Sequence, residues 1–400
     1  MTRLACGFLV VLSTLSHFYI HALSGPRFLR KRQMIVQKAT SSLEGVVAVV
    51  TGSSRGIGKG VALELGEAGA TVYVTGRSMR GAISTERDLG NDNNDATIEA
   101  TCEAINAGGG HGIPVRCDFS NDAEVASLMA QVKEEQGRLD VLVCSAFTTP
   151  PQLNEASFRD DFWKQGAAMW DACHIVGLRG AYMAACEASP LMIDTQAANS
   201  NPEDRRKPLI VLVSSFGGVS YTFNVAYGVG KAGIDRLASD MHVQLENHGV
   251  ETVALYPGLV KTEGNLAMDA RGEWAAASGG FDLSKGESPR FSGRAVVALL
   301  GGLPSSSGDK AQLPRPMEGR SGNVLVVSEL AKELGFTDID GKRPPSIRSL
   351  QFILPNFVFP QIEKESPGKP LPLWIKNNVP DILLPWSVFA GGPPPAPPPS

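Results

Sequence analysis

Cysteine is scarce in this chain and scattered. Six residues (Cys6, Cys102, Cys117, Cys144, Cys173 and Cys186) occur in 400, none in C-x-x-C spacing. That excludes a disulfide framework and a zinc-finger pattern. His111, His242 and His248 have no ligand spacing either, so no metal is expected. No N-x-[ST] sequon occurs, which disfavours a glycosylated lumenal life. Strong net charge is also missing. The formal charge is −4, and charged residues make up 20%, so no duplex-binding surface is expected and nucleic acid is excluded as a partner. With 43% hydrophobic residues, the composition is that of a globular protein rather than a disordered or collagen-like one.

The charge that is present is uneven. Residues 1–43 carry six basic residues and no acidic one, leaving 31 basic against 41 acidic in the remainder. Residues 4–23 are uncharged and mostly apolar, and the basic run GPRFLRKR follows. This 1–43 leader reads as a cleaved signal peptide, as an uncleaved anchor keeping its C-terminal side cytosolic, or as a signal plus transit segment. A disordered leader with initiation at Met34 is the plain alternative. At the other end, fifteen of the 27 prolines lie in residues 344–400. Regular helix or central strand is not expected in that tail. Its apolar pieces, 350–358 and 380–389, are left to pack on the domain, to meet a membrane surface, or to do neither. The final GGPPPAPPPS should be extended and disordered.

Residues 44–343 alternate. Short apolar runs at 46–51, 71–75, 113–117, 139–144, 208–213, 250–256 and 323–327 have the character of strands buried on both faces. Helical patterns lie between them, notably at 59–68, 123–135, 169–188 and 227–247. Polar stretches at 90–95, 194–207 and 305–322 read as loops. The expectation is an α/β domain with a doubly wound parallel sheet of about seven strands and helices on both faces.

The first strand runs directly into VTGSSRGIGKG at 50–60. Gly52, Gly56 and Gly58 permit a tight turn and close approach of a diphosphate to the backbone, and the following helix offers its N-terminal N–H groups. This predicts dinucleotide binding. The position that favours NAD when acidic is here Arg77, and Arg55 lies in the turn. Two cations near the adenosine ribose favour a 2′-phosphate, hence NADP(H) over NAD. Asp118, just after the third strand, is placed to meet the adenine. Further on, Tyr227 and Lys231 stand i, i+4 on one helical face. An ammonium beside a phenol is expected to lower the phenol's pKa and suit it to proton transfer. Ser215 closes a buried strand upstream and is placed to hydrogen-bond a carbonyl. The structural alternative, backbone capping, fits Ser214 better.

In their order and spacing, Thr51-Gly-x-x-x-Gly56-Ile57-Gly58, Ser215, Tyr227-x-x-x-Lys231 and Pro257-Gly258-Leu-Val260-Lys-Thr262 resemble the short-chain dehydrogenase/reductase superfamily over about residues 44–343. The resemblance implies a single Rossmann-type domain and NADPH-dependent reduction of a carbonyl to an alcohol. It implies that Tyr227 is the proton donor, that Lys231 binds the nicotinamide ribose and lowers the Tyr227 pKa, and that Ser215 orients the carbonyl. Val260 and Thr262 would meet the nicotinamide side. Ser54, Arg55, Ile57, Arg77 and Asp118 would line the diphosphate and adenosine. It further implies ketones, quinones or steroid-like carbonyls as substrates, association with the endoplasmic reticulum membrane, and a homodimer. A plastid or cytoplasmic location stays open.

Two positions depart from the family pattern. Cys144 stands where an asparagine usually follows the fourth strand, and Ile175 stands in the slot of the fourth catalytic residue, also an asparagine. His174 would substitute only if the helix were locally rotated. These departures motivate an alternative reading, a catalytically weak NADP(H)-binding sensor or scaffold. Nucleotide-sugar epimerases share Tyr-x-x-x-Lys, but their glycine turn has a different spacing.

Overall fold

The computed structural model describes residues 43–81, 96–148, 160–199, 206–278, 281–302, 315–366 and 370–389. The leader before Leu43, the 90–95 loop and the final GGPPPAPPPS lie outside the described residues. Among those described, no helix is long and apolar enough to cross a membrane.

The apolar runs become seven parallel strands: β1 Val47–Thr51, β2 Thr71–Gly76, β3 His111–Arg116, β4 Val141–Cys144, β5 Leu209–Val213, β6 Glu251–Tyr256 and β7 Val324–Val326. Their order is β3-β2-β1-β4-β5-β6-β7. Between them run α1 Gly56–Glu67, α2 Ile98–Ala107, α3 Asp122–Gln136, α4 Phe162–His174, α5 Gly180–Ala198 and α6 Val225–Leu245. After β6 come α7 Glu263–Ala270 and α8 Pro289–Leu299, and α9 Val327–Leu334 follows β7.

Strand alternation sorts the core into two layers. Ala48 and Val50 face a cluster built with Val61 and Leu65 of α1, Ile105 of α2 and Phe291 of α8. Val47 and Val49 face the opposite cluster, with Leu128 of α3, Ala184 of α5 and Ile234 of α6. Each fully buried Val or Leu contributes about 2 kcal/mol of apolar transfer. A sheet covered on both faces therefore needs strands without polar alternation, and VAVVT and LIVLV meet that need.

The order reverses between β1 and β4. Thr51 is in register with Thr75 on one side and Cys144 on the other, so the carboxyl ends of β2, β1 and β4 open together. A crevice at such a switch point is where open α/β sheets bind ligands.

Two segments differ from the sequence expectation. Asp194–Ala198, read as loop, is the last part of α5. The proline-rich tail contains a helical run, Leu350–Ile353, a π-helical turn Leu354–Val358 and Phe359–Glu365. The three segments are contiguous, so Pro355 and Pro360 lie inside one helical run; Pro355 falls in the π-helical turn, where the regular i→i−4 ladder is already interrupted.

Candidate functional site

The glycine turn is folded tightly on itself and against the loop after β4. Gly52 has φ of 64°, and a Cβ there would stand 2.6 Å from the Ala146 Cα. A Cβ on Gly58 would stand 2.4 Å from the Gly52 carbonyl oxygen. Only glycine lets the backbone fold this close. Arg55, the residue before α1, makes no side-chain cap. Instead the Gly56 N–H donates to Glu263 Oε2 at 2.8 Å, so a carboxylate from the start of α7 already rests on the turn. Thr262 lies beside it, its Cγ2 3.6 Å from where a Gly56 Cβ would be. The turn therefore accepts an anion.

Glu263 must leave for a diphosphate to take its place. Glu263→Ala is expected to tighten NADPH binding about threefold to tenfold, the value of one solvent-exposed hydrogen bond released from competition. Fluorescence titration of NADPH checks this, and weaker binding by the variant would reverse the assignment.

At the end of β2 the cations gather. Arg77 Nη1 is 3.7 Å from Asp118 Oδ2, and Arg55 Nη2 donates to Ser78 Oγ at 3.0 Å. Burial pushes the Asp118 carboxyl up, but hydrogen bonds from Ser120 and the charges of Arg77 and Arg116 outweigh it and hold the group below its ordinary value. Ser54 is buried behind the turn, and Ile57 packs against the core.

Ser215, Tyr227 and Lys231 come together at the carboxyl end of β5. Ser215 leaves the strand and opens the short turn Phe216–Gly218, and Asn224 caps α6 by accepting the Tyr227 N–H at 2.8 Å. The Tyr227 hydroxyl donates to Ser215 Oγ at 2.8 Å, and the Gly217 N–H donates to the same oxygen at 3.0 Å. Both serine lone pairs are then used, and its proton is left to point at a third atom. Lys231 Nζ donates to the Val213 carbonyl at 3.0 Å and stands 5.7 Å from the Tyr227 ring centroid. Ser214 has a structural role, donating to the Lys231 carbonyl at 3.2 Å.

Burial dominates the electrostatics of both groups. Burial pushes the Tyr227 phenol up to about 12, with only the Ser215 hydrogen bond opposing it. Burial also pushes Lys231 down to about 8, against the charges of Asp235 and Cys173. Desolvation outweighs the pairwise attraction because both groups are wrapped in aromatic surface. Phe147 and Phe223 stand edge-on to the Tyr227 ring at 5.9 and 5.3 Å. Phe223 is held at φ of 67°, in the left-handed region that an aromatic residue rarely adopts.

The two departures resolve differently. Thr51 Oγ1 accepts the N–H groups of both Ser145 and Ala146 at 2.9 Å, so the loop after β4 is tied without an asparagine. Cys144 is a buried thiol whose pKa burial pushes up to about 12, and its sulfur lies 3.8 Å from the Ala181 carbonyl. Ile175 opens a π-helical turn, Ile175–Arg179, and its side chain is 39% exposed. The helix is thus locally underwound, but His174 does not take over. Its ring packs on Trp170 with centroids 3.9 Å apart, and both ring nitrogens are buried without a hydrogen-bond partner. The residue of α4 that reaches the catalytic pair is Cys173. With Phe147, Gly177, Tyr227, Gly230 and Lys231 it lines a cavity of about 10 Å³, room for one water.

Sequence reading missed Asp235, which continues the Tyr227–Lys231 face by one more turn. It accepts the Tyr256 hydroxyl, and burial pushes it up to about 6 against hydrogen bonds from Ser214 and Tyr256 and the charge of Lys231. Val260 is buried, and its backbone bridges Glu287. Burial pushes the Glu287 carboxyl up to about 8, where the Gly258 N–H opposes it.

The family model for short chain dehydrogenase matches residues 46–271. Dehydrogenase/reductase SDR family member 1 of Mus musculus is 40% identical over 318 residues, covering 78% of this chain and 89% of that protein. Its Homo sapiens counterpart is 37% identical over 317 residues with the same coverage of 78% and 89%. A solved short-chain type dehydrogenase/reductase from Mycobacterium marinum has the same fold, with a TM-score of 0.52 at 22% identity, covering 72% of this chain and 95% of that one. Motifs, strand order and relatives agree: the chain belongs to the short-chain dehydrogenase/reductase family of oxidoreductases.

Proposed function

We propose that the chain is an NADPH-dependent reductase that converts a carbonyl (a ketone, quinone or steroid-like compound) to an alcohol, with Tyr227 as proton donor. The observation that carries this reading is the Tyr227 hydroxyl on Ser215 Oγ at 2.8 Å, one helical turn from Lys231. Bound NADPH would supply the hydride. The serine proton is placed to hold the carbonyl oxygen, and the high phenol pKa keeps the transferable proton on Tyr227 at neutral pH. The Lys231 ammonium would stabilise negative charge as the phenol gives up that proton. Arg55, Arg77 and Ser78 support NADPH over NADH, because they assemble cationic and hydroxyl donors where a 2′-phosphate would lie.

The reading is tested by following NADPH oxidation across a panel of ketones, quinones, aldehydes and steroids. A pH dependence accompanies it. Lys231 is charged below about 8 and neutral above. Reduction needs the ammonium and the neutral phenol together, a combination present below about pH 8 and lost as pH rises through it. The kcat/KM for NADPH, which reports groups of the cofactor-free enzyme, is therefore expected to be flat below about pH 8 and to fall above. A profile with no basic limb before pH 10 would remove Lys231 from this role.

Ile175 favours a second reading, a cofactor-binding sensor or scaffold, since an apolar side chain in that slot cannot hold a relay water. NADPH binding without turnover on any panel member would favour it.

A further inference from the structure

We propose that the C-terminal residues 345–366 and 370–389 belong to the catalytic apparatus, with Trp386 a positioning residue for the serine turn and for the Lys231 face of α6. The proposal rests on the reductase reading above and adds a part of the chain that lies beyond the family motifs.

The segment is clasped onto the domain rather than draped over it. Arg348 donates to Glu329 of α9 at 2.9 Å and to the Leu384 carbonyl at 3.0 Å. The Leu384 N–H returns to the Arg348 carbonyl at 2.9 Å, and the Leu350 N–H to the Ile382 carbonyl at 3.0 Å. Ser349, fully buried, donates to Asp381 at 2.7 Å. This clasp sets the Arg348 guanidinium 4.4 Å from the Trp386 ring centroid and fixes where that ring stands.

Trp386 touches both sides of the site. Its ring centroid is 6.4 Å from that of Phe216, the residue after Ser215, and Phe389 stands edge-on to the same Phe216 at 5.0 Å. Its other contact is Tyr256, edge-on at 6.1 Å. Tyr256 is fully buried, and its hydroxyl donates to Asp235, one helical turn beyond Lys231. The segment thus reaches Ser215 through Phe216, and Lys231 through Tyr256 and Asp235. A second clamp holds the segment that follows α7. Phe281 lies 5.8 Å from Phe352 and 5.3 Å from Phe357.

Packed aromatic contacts of this kind fix geometry, and small misplacements of reacting groups are costly to rate. Trp386 also covers Tyr256, which in turn shields Asp235 on the face that carries Lys231. Opening that cover relieves the desolvation that pushes Lys231 down, so the lysine returns toward its ordinary, higher pKa.

The experiment compares full-length wild type with Trp386→Ala, Trp386→Phe and Phe389→Ala. Trp386→Ala is expected to lower kcat/KM for carbonyl reduction about tenfold, to move the basic limb to higher pH, and to leave the NADPH dissociation constant within about twofold. Trp386→Phe should restore the wild-type limb, and Phe389→Ala should lower kcat/KM without moving it. Amide hydrogen exchange gives a readout independent of turnover. Residues 214–219 should exchange faster in Trp386→Ala, while residues 52–58 should not. Unchanged exchange at 214–219 overturns the proposal whatever the activity. An active wild type with equal kcat/KM and limb in Trp386→Ala also overturns it, as does loss of NADPH binding in step with activity in every variant, which would make the segment a general fold element. A wild type that reduces nothing in the panel counts against the reductase reading, and the exchange arm still decides whether the segment holds the turn.

Discussion

Tyr227→Phe is expected to lower kcat/KM for carbonyl reduction about a thousandfold, within the range general acid catalysis supplies, while NADPH affinity changes by no more than about fivefold. The substitution removes one oxygen and keeps the ring. Phe147 and Phe223 pack edge-on against ring atoms that phenylalanine retains, so loss of activity would not reflect a collapsed pocket. Ser215 keeps its bond from the Gly217 N–H and stays in place. With a phenol pKa near 12, wild-type Tyr227 is protonated across the neutral range, so the variant loses a proton donor and not a charge. NADPH oxidation rates and a fluorescence titration run side by side check both halves. A fall of less than tenfold would mean that another group delivers the proton, with a water entering the cavity beside Cys173 the first candidate. A parallel loss of NADPH binding would make Tyr227 a cofactor ligand more than an acid.

The parts of this site that could be read in advance are those whose physics is local. A strand covered on both faces must be apolar throughout, so VVAVVT and PLIVLV announced themselves. A turn in which a Cβ at Gly52 would stand 2.6 Å from the Ala146 Cα must carry glycine there, so the turn did too. Tyr227 and Lys231 share a helical face because they are four apart. The same rule extended one turn finds Asp235, which was legible but not sought. The Glu263 contact to Gly56 was not legible, since it joins residues 207 apart and only the packed fold brings them together. Nor was the π-helical turn after His174, because no composition encodes its hydrogen-bond pattern. The tail misled for a physical reason. Proline breaks the regular α-helical ladder, but a π-helical turn tolerates the break, and Pro355 falls in such a turn inside the run 350–365. A pairwise rule for Tyr227 and Lys231 also leaves out desolvation, which burial imposes on both partners at once.

Arg77→Asp is expected to lower the preference for NADPH over NADH about a hundredfold. Arg77 follows β2, where the ribose of an adenine dinucleotide lies in this fold. Its pairing with Asp118 is long, 3.7 Å, and the arginine side chain is 39% exposed, so the pair contributes little and yields readily to a phosphate. A charge-assisted bond from a guanidinium to a phosphate contributes about 1.5–3 kcal/mol, which is tenfold to a hundredfold in affinity. Removing Arg77 also leaves Asp118 anionic, since its Ser120 hydrogen bonds and Arg116 persist. An introduced carboxylate adds a second negative charge against the 2′-phosphate while offering acceptors to the ribose hydroxyls of NADH. The two effects act in opposite directions on the two cofactors and multiply in their ratio. Titration of both dinucleotides into wild type and variant measures it. A ratio that stays within threefold would place the 2′-phosphate on Arg55 instead. In that case Arg55→Ala, which removes the donor to Ser78, should carry the whole effect, and the double variant should add nothing further.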